Sequence, residues 1–509
     1  MVLATVFIDA LVRVLAPDLL LLIFLSVSFG VIIGAIPGLG PAIGMVLLFP
    51  LTISLDPLPA VALLAAIYPA GVYGGSITAV LINTPGDPSS TVTTFDGYPM
   101  TKQGDGTKAL GITLVSSVIG GFLSGLALLL LAPPFAQIAL EITPDIIFAI
   151  GLFGIVILVL VSRGSLLKGL VASVFGLLLS IVGFSPYRGV ERFTFGVDYL
   201  SDGIAIVPLI VGLFAISEAI MLVYQGGTIE EDGETGAPQT TRLRFSDLYS
   251  GMMSTVARPL TVLRSSIIGI VIGIVPGSGS IVANFVSYYV GQAFSKAGDT
   301  FGTGSIEGLI SAESSNNAAT AATLIPTLVL GIPGGIAAAI LLGVLQLKNV
   351  RVGPLLFAET PELAYAIILS LLVANVFILV VGAIVSGFIQ RIVTLPVEIV
   401  APTVFVLAIL GGFAYNFQTA DAVAVIGFGV IGFVLRKLGY SIIAIVFGFI
   451  LGPILENNYL RAVQTAGNDP LAAFASPIPI AIGGLALALL VYQLFEEATE
   501  LRERIGDSQ

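Results

Sequence analysis

The segment Glu307-Gly-Leu-Ile-Ser311-Ala-Glu313-Ser-Ser-Asn316-Asn317-Ala-Ala-Thr320 places a carboxylate, two amides and a hydroxyl at i, i+3, i+4 and i+7 from Glu313. If helical, Glu313, Asn316, Asn317 and Thr320 share one face. Hydroxyl and amide oxygens beside a carboxylate make a hard environment suited to Na+, whereas a lone Glu can carry a proton. With Glu307 these residues are the candidates for cation coupling, the ion being either Na+ or H+. The polar face of a surface helix gives the same pattern. A second cluster reads Tyr73-Gly74-Gly75-Ser76-Ile-Thr78 and, after an apolar turn, Asn83-Thr84-Pro85-Gly86-Asp87-Pro88-Ser89-Ser90-Thr91. It supplies hydroxyl, amide and backbone donors with almost no charge, a surface that suits the carboxylates of an organic anion. Gly/Pro/Ser/Asn clusters also mark polar loops, in which case Asp87 and Asp96 are ordinary solvated acids. Glu218 interrupts an apolar run and is a functional candidate, although its place near the end of that run favours an interfacial, structural role.

The chain has no Cys and no His. That excludes thiol nucleophiles, zinc–thiolate sites and imidazole relays, so cation or proton chemistry falls to Asp, Glu, hydroxyls, amides or carbonyls. No catalytic or metal-ligating residue and no cofactor is assigned. The net charge of −11 argues against nucleic acid as a partner. Acidic, Lys-poor loops fit a salt-rich habitat.

The elements that must position these residues lie in lipid. Of 509 residues, 56% are hydrophobic and 10% charged, and the mean hydropathy is +1.07. A water-facing surface needs about 25% charge. The expected fold is an all-α polytopic membrane protein. Uninterrupted apolar runs fall near 18–36, 58–83, 109–131, 145–162, 165–184, 204–224, 362–389, 400–413, 420–436, 440–453 and 474–494, with interrupted ones at 41–54, 263–292 and 319–347. This gives about twelve crossings. The first span lacks a basic leader ahead of it and is expected to be retained.

The chain divides into a first membrane half (1–224), a polar connector (225–262), a second repeat core (263–360) and C-terminal transmembrane helices (361–509). The connector runs from Glu230, Glu231, Asp232 and Glu234 to Arg242, Arg244 and Arg258. Basic residues in short loops favour the cytoplasm. The connector, Arg163/Lys168, Arg436/Lys437 and Arg502/Arg504 are therefore expected inside, and loops 185–203 and 454–473 outside, despite Arg188 and Arg192. Arg351, Arg391 and Glu398 read as interfacial anchors.

The halves are related by a duplication. Gly30-Val-Ile-Ile-Gly34-Ala-Ile-Pro37-Gly38-Leu-Gly40 aligns with Gly269-Ile-Val-Ile-Gly273-Ile-Val-Pro276-Gly277-Ser-Gly279 at an offset of 239, with six of eleven positions identical. A second Pro-Gly pair follows in each half, Asn83-Thr84-Pro85-Gly86 and Gly331-Ile332-Pro333-Gly334. Pro removes a backbone donor and Gly tolerates unusual conformations, so each pair breaks a helix. In the membrane, freed backbone groups are tolerable only when buried or lining a polar cavity. Matching breaks in two halves point to a transporter's binding site, with half-helix ends facing the solute. Pro37, Gly38, Gly40, Tyr73, Gly75, Ser76, Asn83, Thr84, Pro85, Gly86, Pro276, Gly277, Gly279, Pro333 and Gly334 are the candidate substrate-binding residues. The glycines at four-residue spacing also form small-residue stripes for close helix packing. Whether the repeats are parallel or inverted depends on whether 18–54 crosses once or twice.

These motifs in this order resemble the TctA family, the large membrane (permease) subunit of the tripartite tricarboxylate transporters. The resemblance runs from Gly30 to Pro470 and also includes Asp96-Gly97-Tyr98-Pro99-Met100, Arg192-Phe-Thr-Phe-Gly196, Gly212-Leu-Phe-Ala-Ile-Ser217-Glu218, Phe301-Gly302-Thr-Gly304-Ser-Ile-Glu307-Gly308 and Gly353-Pro354-Leu-Leu-Phe357. It implies a cation-coupled importer of tricarboxylates or related carboxylates in a prokaryotic cell membrane. Its implied partners are a small four-span membrane subunit and an extracytoplasmic solute-binding protein. The chain departs from the family at Ser311-Ala312-Glu313, where Ala-Pro-Glu is usual, and at Asp87 and Gly335. A passive anion channel, or a carrier of another solute, is the alternative. A primary pump lacks its phosphate loop here, and an intramembrane enzyme lacks an acid–base constellation.

Overall fold

A computed structural model of the chain describes residues 2–161, 165–185, 189–224, 244–277, 279–386 and 397–506. Arg163, Arg188, Arg242 and Arg391, with Glu230, Glu231, Asp232 and Glu234 of the connector, lie outside the described residues. The chain is an all-α polytopic membrane protein, relieved among the described residues by one antiparallel strand pair, Gly183–Phe184 on Glu191–Arg192. Among the described residues the central part of each of the eleven uninterrupted apolar runs is helical, the run 165–184 ending in the strand Gly183–Phe184. Among the described residues nine helices are long and apolar enough to cross a bilayer, or ten if the bent pair Phe245–Val256 and Pro259–Gly273 makes one span. The interrupted runs form shorter pieces. Arg192 grips Glu456 through two contacts of 2.7 and 3.2 Å; Glu456 stands on the helix Ile442–Thr465, so the stretch expected as a loop at 454–473 is helical as far as Thr465.

The first half contributes α1 (Pro17–Gly34), α2 (Gly40–Leu48), α3 (Pro57–Ile82), α4 (Thr93–Lys102) and α5 (Gly106–Ala139). The second contributes α6 (Pro259–Gly273), α7 (Gly279–Phe294), α8 (Ile306–Ala322), α9 (Leu324–Leu330) and α10 (Ile336–Leu347), followed by α11 (Pro361–Val385). All four Pro-Gly sites separate helices. Gly38 and Gly40 take φ of +84° and +59°, and their counterparts Gly277 and Gly279 take +81° and +62°. At the second break Asn83 (φ +57°) caps α3 and Gly331 (φ +73°) caps α9, both left-handed. Left-handed backbone favours Gly or Asn, so the residue choice at each break is the local cause of the turn.

The glycine stripes pack, and they pack identically in the two halves. A Cβ at Gly30 would lie 2.8 Å from Ala70 Cβ and 3.1 Å from Ile67 Cα, and one at Gly269 would lie 2.8 Å from Ala318 Cβ and 2.9 Å from Ser315 Cα. Gly34 likewise abuts Gly71, and Gly273 abuts Ala319. Gly86 sits against Gly75 and Gly334 against Thr323. Every partner pair obeys one offset, 248 residues from α3 to α8 and α9. Without side chains here the backbones meet directly, which is how helices associate where lipid offers no hydrophobic drive.

These contacts also settle the topology. Along α1, Gly30 to Gly34 matches Ile67 to Gly71 rising along α3, so α1 and α3 run parallel. Along α2, Pro41 meets Gly71 while Gly44 meets Ile67, so α2 runs back against α3. Thus α1 and α2 form a helical hairpin with Pro37-Gly38 at its tip. In the second half Ser315 donates to Asn284 at 2.7 Å, and Gly291 lies against Ser311, so α7 runs back against α8 and α6–α7 is the matching hairpin. Between halves, the Tyr68 and Thr323 hydroxyls are 3.5 Å apart, and Ser76 lies beside Glu313. These contacts are separated by about 12 Å along α3 and about 15 Å along α8 at 1.5 Å per residue. The sequence rises in one helix as it falls in the other. Equivalent helices therefore run antiparallel, and the repeat is inverted.

Candidate functional site

Helix α8 is the polar spine of the molecule. Ser305 caps it, accepting from Gly308 N at 3.2 Å, and every residue from Gly308 to Ala322 is buried. The pattern at Glu313 is thus no surface face. The Glu313 carboxylate accepts from the Ser117 hydroxyl of α5 at 2.8 Å and from the Thr93 hydroxyl of α4, with Ser76 of α3 alongside. Four helices converge on one fully buried acid. Among the described residues no Lys or Arg pairs with it. A charge buried without a counter-charge costs several kcal/mol, so this geometry suits a carboxylate that takes up a cation or a proton.

One turn along, Asn316 and Asn317 are fully buried, and none of their four side-chain amide atoms has a hydrogen-bond partner. An unsatisfied buried polar group costs about 1–3 kcal/mol. Thr320 is spoken for, donating to the Asn317 carbonyl at 2.7 Å. The amides are open binding capacity beside Glu313. Asn317→Leu keeps the forked side-chain skeleton, with bulkier ends, and removes two orphaned atoms, so the unfolding midpoint of the purified protein in detergent is expected to hold or rise. A fall of several degrees would mean that Asn317 is satisfied within the fold.

The four breaks meet pairwise. Gly40 borders Gly86 and the Asp87 carboxylate, and Gly277 N donates to the Gly334 carbonyl at 3.2 Å. The halves then touch: the Asn284 amide of α7 donates to the Ser89 carbonyl, and Ser280 lies beside the Tyr68 hydroxyl. Asp87 accepts from Ser89 N at 3.0 Å and from the Ser89 hydroxyl, and it too lacks a basic partner among the described residues. The two hairpin tips and the two second breaks therefore converge on an interface of hydroxyls, amides and helix ends.

Among known protein families, residues 20–447 match the one described as the tripartite tricarboxylate transporter TctA family. This chain belongs to the TctA family. An uncharacterized 52.8 kDa protein of Agrobacterium vitis, named for the TAR-I ttuC' 3' region, is 34% identical over 482 residues, covering 95% of this chain and 94% of that protein. A second A. vitis protein, also uncharacterized and named for the TAR-II ttuC' 3' region, is 31% identical over 237 residues, covering 47% of this chain and 98% of that protein. No solved structure matches the chain. A TctA protein is the large membrane subunit of a tripartite tricarboxylate transporter, a transporter family rather than an enzyme family.

Not every candidate stands where the sequence suggested. In this TctA chain Ser76, grouped with the substrate residues, joins the Glu313 cluster, 3.3 Å from Ser90. Tyr73 is turned onto α11, where a Cβ at Gly382 would come within 2.7 Å of its ring. Glu307, grouped with Glu313, stands about 9 Å of helix rise away, half-exposed and 3.9 Å from Arg258. Asp96 is no solvated loop acid: it is fully buried on α4 and hydrogen-bonded to the segment before α8. Glu218 is also buried, in an ion pair with Arg436. It packs beside the first tip, 3.3 Å from where a Gly38 Cβ would be, and so is a buried ion pair at a break where an interfacial position was expected. Thr93, Ser117, Tyr68 and Asn284 were missed. Thr93 lies in a Ser/Thr-rich stretch, Ser117 follows Ser116 inside an apolar run, and Tyr68 and Asn284 are lone polar residues among apolar ones, signals too common to read alone.

Proposed function

We propose that this TctA chain is the permease subunit of a binding-protein-dependent, cation-coupled secondary transporter that imports tricarboxylates or related carboxylates across a prokaryotic, salt-adapted cell membrane. A small four-span membrane subunit and an extracytoplasmic solute-binding protein complete the system. The carboxylates bind between the breaks at Pro37-Gly38-Gly40, Asn83-Thr84-Pro85-Gly86, Pro276-Gly277-Gly279 and Pro333-Gly334, where half-helix ends and hydroxyls supply the donors. Glu313, with Asn316, Asn317 and Thr320, holds the coupling cation, Na+ or H+. The observation that carries this reading is Glu313 itself, fully buried among hydroxyls and without a basic partner among the described residues. An anion entering a site that already holds Glu313 and Asp87 needs a cation to offset its charge.

The test is uptake into proteoliposomes holding both membrane subunits, with the binding protein outside and a panel of mono-, di- and tricarboxylates under separate Na+ and H+ gradients. Saturable uptake of one carboxylate class that follows one imposed gradient is the expected result. Flux at channel rates that ignores both gradients would overturn the proposal in favour of a passive anion pore.

A further inference from the structure

Two motifs that the transport reading leaves unused meet in the structure. One Asp96 oxygen accepts from the backbone N–H groups of Gly302 at 2.9 Å, Gly304 at 2.9 Å and Ser305 at 2.7 Å, and the other accepts from the Tyr288 hydroxyl at 2.8 Å. Gly302 and Gly304 have φ of +85° and +107°, conformations that free their N–H groups to point at one spot. A side chain at Gly308 would collide with the carboxylate. Phe95, Tyr288 and Phe301 close round it edge to face, with ring centroids 5.1 and 5.6 Å apart. All three N–H groups belong to the turn that starts α8, at its positive end. Three residues before Asp96, on the same short helix, Thr93 donates to Glu313. Helix α4 thus grips α8 at residue 305 and again at residue 313.

We propose that the Phe301–Ser305 turn is a carboxylate receptor whose resident ligand is the Asp96 side chain, and that this seat makes Asp96 the positioning residue of the Glu313 site. The second part rests on the cation reading above; the first does not. Asp96 touches no substrate. It fixes α4 along α8 so that the Thr93 hydroxyl reaches Glu313. Gly302 and Thr303 are exposed and Gly304 is half-buried, so once the side chain is gone a small free carboxylate can reach the seat from solution.

The experiment uses Asp96→Gly in the complete transporter, with choline formate against equal choline chloride. Purified Asp96→Gly is expected to unfold several degrees below the wild type, and formate, but not chloride, to restore at least half of the difference. In proteoliposomes its half-maximal coupling-cation concentration is expected to rise at least tenfold and to return to within threefold of wild type with formate. Asp96→Asn fills the seat and should show a smaller rise with no response to formate; it also carries the uptake measurement if the glycine variant does not accumulate. Formate and chloride acting alike on the midpoint would overturn the receptor. An unchanged cation requirement in both variants would overturn the positioning role. Should wild-type uptake ignore cations altogether, the Glu313 reading fails alone, and the midpoint comparison still decides the receptor.

Discussion

Glu313→Gln is expected to cut gradient-driven uptake at least about fivefold, measured at the cation concentration that half-saturates the wild type, while leaving the protein folded and inserted. The amide keeps the shape, and its oxygen still accepts from the Ser117 hydroxyl, which sits 2.8 Å from the carboxylate in the native protein. The charge is lost. Hydrogen bonds to charged groups are worth about 1.5–3 kcal/mol, so the affinity for a cation held by the carboxylate should fall roughly 10- to 150-fold at 1.4 kcal/mol per decade. A proton-carrying site would be lost outright, since Gln does not titrate. The unfolding midpoint should rise or hold, because an uncompensated buried charge has been removed. Uptake against imposed gradients, together with counterflow of preloaded substrate, reads the two parts separately. Gradient-driven uptake within threefold of wild type would remove Glu313 from the coupling step.

The second large effect concerns assembly. Gly34→Val puts a branched side chain where Gly71 Cα would lie 2.8 Å from its Cβ, with backbone atoms of α3 on that side and no flexible side chain to yield. Overpacking by single methylenes costs about 1–3 kcal/mol; three added carbons against backbone should exceed that and separate the α1–α2 hairpin from α3. Gly273→Val should do the same to α6, whose counterpart contact is Ala319 Cα at 3.1 Å. Gly427→Val, with nothing within 4 Å, is the control and should be neutral. Folded yield and unfolding midpoint measure it. If Gly34→Val matches Gly427→Val, the hairpin does not pack through its glycine stripe.

The scaffold of the site was legible because Pro-Gly breaks act locally. The residues that turn the chain at Gly38, Asn83, Gly277 and Gly331 do so through their own backbone preferences, which sequence displays. The inversion of the repeat was not legible. It depends on α1 and α2 forming a hairpin, and that is written in which glycine touches which backbone across the fold. The partners of Glu313 were hidden for a related reason. Thr93 and Ser117 lie 220 and 196 residues away in the chain, and nothing local marks a threonine beside a membrane span as a ligand to a distant acid. The alternative of a solvated Asp96 fails because its donors come from residues 302, 304 and 305, more than 200 positions away, where local sequence does not show them. Tyr73 and Ser76 share one buried helix, yet one faces α11 and the other Glu313, a difference that period alone does not assign when every position from Ala60 to Val80 is buried.

The repeat also explains why the polar site is single. Applying the 248-residue offset, Glu313 falls on Ala65, Asn316 on Tyr68 and Asn317 on Pro69. The fold is symmetric and the chemistry is not: one half carries the acid and the amides, and the other contributes Ser76, Thr93 and Ser117 to it. A site shared across the halves in this way would sense their relative position, as the proposed coupling requires.

That coupling is most directly tested by equilibrium linkage. Calorimetric titration of the purified membrane complex with the transported carboxylate, at zero and at saturating coupling cation, gives two affinities whose ratio must equal the ratio by which carboxylate strengthens cation binding. The predicted result is an equal strengthening of at least fivefold in both directions, lost in Glu313→Gln. Carboxylate affinity unchanged between the two conditions would contradict the account.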